Sequence, residues 1–124
     1  MTKTSKAAAA VKARKEALEK ALPRQITVMG RVFDVQISNL KGADGDCLIA
    51  ESRIRIHQAQ SLESAKATLW HEVIHAALGI SGLNELLTDS LEEAIVRCFE
   101  HSFSDVVDLN KIAVVRNNLT ERVE

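Results

Sequence analysis

The sequence predicts a single α+β domain: a small antiparallel β-meander of three to four strands packed on two helices, with a further helix at each end. Three observations lead there. The chain has 124 residues, 46% of them hydrophobic, which suffices for one core but not for two. Apolar residues recur at helical spacing near both ends and through the third quarter of the chain. Between residues 25 and 57 the pattern changes to alternation broken by Gly, Asp and Ser, the pattern of short strands and turns.

Residues 1–22 form the first helix, stopped by Pro23, with Val11, Leu18 and Leu22 near one face. Six basic residues against two glutamates leave this helix at +4, a solvated face by the usual reading of such a run. The meander occupies residues 25–57. Ile26 and Val28 alternate with Thr27, Gly30-Arg31 makes a hairpin turn, and Val32, Phe33, Val35 and Ile37 follow. Residues 39–46 are a loop by composition. Cys47–Ala50 and Arg53–His57 are two more strands around a bend at Glu51-Ser52. Ser61 caps a helix over 61–79, with Glu63 in its first turn and Gly79 as its stop. A connector with Gly82 and Asn84 leads to a helix over 88–104, capped by Thr88, Asp89 or Ser90. Ile112, Val115 and Leu119 predict a closing helix within 105–124.

Composition narrows the function. A formal net charge of −1 speaks against a general nucleic-acid binder. No apolar run approaches the roughly 20 residues of a membrane span. The first residues lack the apolar core and cleavage site of a secretory signal. Cys47 and Cys98 are not closely spaced, so reduced thiols in a cytoplasmic protein are expected, with neither nucleic acid nor membrane as partner.

The chemistry lies in Thr68-Leu69-Trp70-His71-Glu72-Val73-Ile74-His75-Ala76-Ala77-Leu78-Gly79. Residues four apart stack on one helix face, so His71 and His75 point the same way, as two imidazoles sharing a metal ion must. Glu72, one step along, flanks the ion and can take a proton from water. Two histidines on a wet helix face would be the ordinary alternative. Here Trp70, Val73, Ile74, Ala77 and Leu78 make the helix apolar around most of its circumference. Polar groups left unpaired there would cost roughly 1–3 kcal/mol each, and a cation removes that cost. The prediction is a Zn²⁺ site.

Catalytic zinc takes three protein ligands and leaves a fourth position open. The third ligand comes from Glu92 or Glu93, since a short connector makes antiparallel neighbours of the two helices. Glu93 shares its face with Asp89, Arg97 and His101, a polar stripe, and Glu92 with more apolar residues, so the spacing selects Glu93.

In these motifs, residues 47–103 resemble the gluzincin class of metallopeptidases, and within it the compact phage and bacterial proteins similar to the ImmA/IrrE metallopeptidases. His71-Glu72-x-x-His75 matches the first motif of that class, and Glu92-Glu93-Ala94-Ile95 resembles the second, with Glu93 in the ligand position. The resemblance implies a zinc-dependent peptidase with a peptide or protein substrate and a short sheet whose last strand precedes the first motif. Many gluzincins carry an Asp four residues after the ligand Glu. This chain has Arg97 there, and Asp89 or Glu92 stands in as the group orienting a histidine. Asp46-Cys47-Leu48 resembles the Cys-Leu motif of peptide deformylases, a minor alternative in which Cys47 is the third ligand; their glycine-rich motif is absent.

The expected mechanism has zinc on His71, His75 and Glu93, with Glu72 as general base. An oxyanion donor comes from His101, Arg97 or His57, because the chain has no Tyr. Of these, His101 is taken as the catalytic residue. Arg53–Ile56 is an edge strand that either receives substrate or uses its arginines against aggregation. The reading from a different class is a zinc-containing, non-catalytic or partner-dependent regulatory module.

Overall fold

The computed structural model describes residues 3–103. The predicted closing helix at 105–124 lies outside them. Among the described residues the α+β class holds: three α-helices and one four-stranded sheet. They are α1 (Lys3–Ala21), β1 (Gln25–Val28), β2 (Arg31–Ser38), β3 (Gly45–Leu48), β4 (Arg53–His57), α2 (Leu62–Ser81) and α3 (Asp89–Phe103).

Strand order departs from a simple meander. The sheet runs β1-β2-β4-β3, and its central pair, β2 with β4, is parallel. β1 and β2 form the predicted hairpin, with Val28 opposite Arg31. Its two turn residues are Met29 and Gly30, at φ 51° and 81°, the doubly left-handed turn that matches strand twist. The chain then loops outward, lays β3 on the far edge, reverses through a 3-10 turn at Ile49–Glu51, and inserts β4 between β3 and β2. Ser52, at φ 53°, makes that reversal. Arg53–Ile56 is therefore an inner strand, and β3 is the edge. Loop closure leaves this choice open in sequence: both orders satisfy the alternation, and only the long 39–44 excursion permits the insertion.

Alternation sets the core. Phe33, Ile37, Ile54 and Ile56 point to the covered face, meeting Ala65, Leu69 and Ala76 of α2 and Leu18 and Leu22 at the end of α1. Each large apolar group fully withdrawn from water contributes roughly 1.5–3 kcal/mol. Arg55 lies on the other face, where it pairs with Asp46 of β3 directly opposite. Residues 5–14 of α1 are exposed, so only its last turns dock.

Ser61 caps α2, its hydroxyl accepting the Ser64 N–H at 3.2 Å. The helix runs past Gly79 to Ser81 and ends at Gly82, φ 80°. Gly79 serves packing rather than termination: a Cβ there would meet Ile49 Cδ1 at 3.0 Å. Thr88 caps α3, accepting the Leu91 N–H at 3.2 Å. Among the described residues no helix is long and apolar enough to cross a membrane.

Candidate metal centre

α2 presents two faces. Ala65, Leu69, Glu72 and Ala76 are its buried stripe, at alternating steps of four, three and four. Glu72 thus falls in the row that faces the sheet, 7% exposed. His71 and His75 lie one step around and face α3. Gly45 of edge strand β3 closes over this helix: a Cβ there would fall 2.5 Å from Thr68 Cγ2 and 3.4 Å from Glu72 Cγ. Glycine is what lets the strand come this close to the glutamate.

The two imidazoles converge. Their Nε2 atoms are 3.2 Å apart. The Glu93 carboxylate spans both, with Oε1 2.7 Å from His75 Nε2 and Oε2 3.5 Å from His71 Nε2. Each opposite ring nitrogen meets its own carboxylate: His75 Nδ1 lies 2.5 Å from Glu92 Oε2, and His71 Nδ1 lies 3.0 Å from Glu100 Oε2. These contacts suit the neutral tautomer in which each Nδ1–H donates to its carboxylate and each Nε2 carries a lone pair. Two lone pairs and a carboxylate then face one another with no proton between them. Protonating both rings would instead set two N–H groups head to head.

A cation resolves this arrangement, and the distances fit one. Bonds of about 2.05 Å in tetrahedral directions hold neighbouring ligand atoms about 3.3 Å apart. One ligand atom from each of His71, His75 and Glu93 lies within 4.8 Å of the others. The nitrogen and carboxylate donor set suits zinc.

Glu72 lies beside this group without belonging to it. Burial, above all, raises its carboxyl above the ordinary range; Asp46 and Glu93 add to the rise, and His75 and His71 oppose it. A carboxyl raised in this way is better fitted to take up and pass on a proton. The Cys47 thiol is pushed up to about 12, chiefly by burial and then by Glu72 and Asp46. Its sulfur stands outside the converging ligand atoms.

Two hollows open on either side of the cluster. One, about 410 Å³, is walled by Cys47, Ile49 and Asn84; the other, about 620 Å³, by Asp44, Thr68 and Arg97. They share Gly45, His71, Glu72 and Glu93. The cluster therefore sits midway along a trough rather than at a blind end. A third hollow, about 470 Å³ between the end of α1 and β2, holds none of these residues.

The structure brings together His71, Glu72, His75 and Glu93, and it gives Glu92 the orienting part. It does not bring in His101, which is exposed on α3 and lines neither hollow. His57 accepts the Leu40 N–H on Nδ1 at 3.0 Å and pins the loop after β2. Asp89 is exposed at the start of α3. Sequence reasoning did not assign Glu100 as the holder of His71. Its signal was its place seven residues after Glu93, two helical turns along the same face. Comparison with models of known protein families, with curated proteins and with solved structures returns no match.

Proposed function

We propose that this protein is a zinc-dependent hydrolase of peptide bonds. The observation that carries the reading is the set of three facing acceptors of His71, His75 and Glu93, both Nδ1 atoms anchored by carboxylates, with a buried glutamate alongside. A zinc ion there supplies an acidified water and polarises the carbonyl it faces. The residues supply the rest. Glu92 and Glu100 fix the two rings. Glu72 takes a proton from the attacking water as its oxygen bonds to the carbonyl carbon. It then delivers that proton to the amine nitrogen as the carbon–nitrogen bond breaks. The trough, open to both sides, suits an extended chain cut internally, and edge strand β3 has unpaired backbone groups to align it. Two free thiols support a reducing compartment, the cytoplasm.

Metal analysis and one substitution test this. The wild type holds one zinc and cleaves peptides. Glu72→Gln keeps the zinc and loses about 10²–10⁴ in kcat, the range of a general base. A wild type that takes up no zinc on titration ends the proposal. The partner-dependent reading draws support from α1, whose residues 5–14 are exposed and carry Lys6, Lys12 and Arg14. Zinc-loaded protein that is inert on all peptides, yet active when a bound protein partner is supplied, selects it.

A further inference from the structure

The walls of the trough are acidic. Asp44, Asp46, Glu72, Glu92, Glu93 and Glu100 line its two halves. Hydrolysis of an amide creates a negative charge on the carbonyl oxygen in the midst of them. Of the three side chains the sequence offers as donors, two are elsewhere: His57 is bound to the Leu40 N–H and His101 lines neither hollow. Arg97 is the one Lys or Arg among the residues lining either hollow.

Among the described residues Arg97 also forms no ion pair. It stands one turn after Glu93 and three residues before Glu100, spacings at which helix neighbours pair. Both acids are taken, Glu93 by the Nε2 atoms and Glu100 by His71 Nδ1. Asp44, the remaining acid of that hollow outside the metal cluster, forms no ion pair among the described residues, and neither does Arg97. An arginine on a rigid helix, about 5–6 Å from a ligand residue measured between Cβ atoms, has a stem long enough to bring its guanidinium over the cluster. Resting on the hydrolase reading above, we infer that Arg97 is a catalytic residue, donating hydrogen bonds to the oxyanion that forms on the scissile carbonyl.

The test uses full-length, zinc-loaded protein and an alanine phosphinic pseudopeptide, whose tetrahedral anionic phosphinate imitates that oxygen. Calorimetry gives its affinity for the wild type, Arg97→Ala and Arg97→Lys; matched peptides give kcat and KM. Arg97→Ala is expected to weaken phosphinate binding and lower kcat by about 10²–10³-fold, the effect of losing one such donor. KM, zinc content and thermal midpoint stay as in the wild type, and Arg97→Lys recovers part of the loss. Equal phosphinate affinity in the wild type and Arg97→Ala, both with zinc, overturns the inference alone. So does a loss confined to peptides bearing acidic side chains, which would make Arg97 a specificity group. Absence of zinc from the wild type overturns the hydrolase reading, and this inference with it.

Discussion

α2 is held on two sides by opposite physics. Towards the sheet, Leu69, Ala65 and Ala76 meet Phe33, Ile54 and Ile56, all fully buried and apolar. Towards α3, His71 and His75 meet Glu92, Glu93 and Glu100, and among the described side chains of that helix Val96 alone is fully buried. The first interface is complete as it stands, because dispersion and water exclusion need no further group. The second brings three carboxylates against two imidazole rings, and a cation held there would complete it electrostatically. On the proposed reading, stability and metal binding are separable, each assigned to one face of a single helix.

Four measurements break or sharpen that contrast. The largest effect is expected from zinc itself. At a free concentration about 1,000 times Kd it should stabilise the folded protein by about 4 kcal/mol. In Glu93→Ala, thermal melts should show that increment gone. Next comes the apolar face. Leu69→Ala should cost about 2–5 kcal/mol in denaturant unfolding, by the same amount with and without zinc. A cost that depends on zinc would mean the two faces are coupled.

Third, Glu92→Ala and Glu100→Ala should each weaken zinc about 10–100-fold, the usual effect of losing a group that orients a ligand histidine. Competition with a chromogenic chelator measures it. Glu92→Ala losing more than Glu93→Ala would reverse their assignments.

The smallest effect concerns Glu72 in metal-free protein. Its carboxyl is raised by burial, so the folded chain holds that proton to higher pH than the unfolded chain. Between the two pKa values the native state binds more protons, and stability falls as pH rises through the window. Glu72→Gln removes the titrating group. Its stability advantage should be absent below the ordinary glutamate value of about 4.3, grow with rising pH, and level off above the folded value. Each kcal/mol gained raises the midpoint by about 4 °C in a domain of this size. A flat difference across pH would show that Glu72 titrates normally.

Much of this was legible beforehand because it is local. The four-residue step of His71 and His75, the Ser61 cap and the hairpin turn, expected at Gly30-Arg31 and found one residue earlier at Met29-Gly30, each depend on a few consecutive residues. Gly79 and Gly82 were harder. Gly79 read as the helix stop and Gly82 as part of the connector; the helix instead ends at Gly82, and only the approach of Ile49 shows that Gly79 makes room for a neighbour.

The sequence by itself determined the α+β class, the shared face of His71 and His75, the place of Glu72 beside them and the helix that brings Glu93 to the cluster. All of these follow from periodicity along one stretch of chain. Tertiary structure alone decided the insertion of β4 between β2 and β3, the choice of Glu92 over Asp89 as the partner of His75, the grip of Glu100 on His71 and the remoteness of His101. The reason is geometric. Neighbouring helix residues point only about 100° apart, so both glutamates lean towards α2. Which oxygen meets which ring nitrogen depends on how two helices cross, and side chains distant in sequence must pack before that crossing exists.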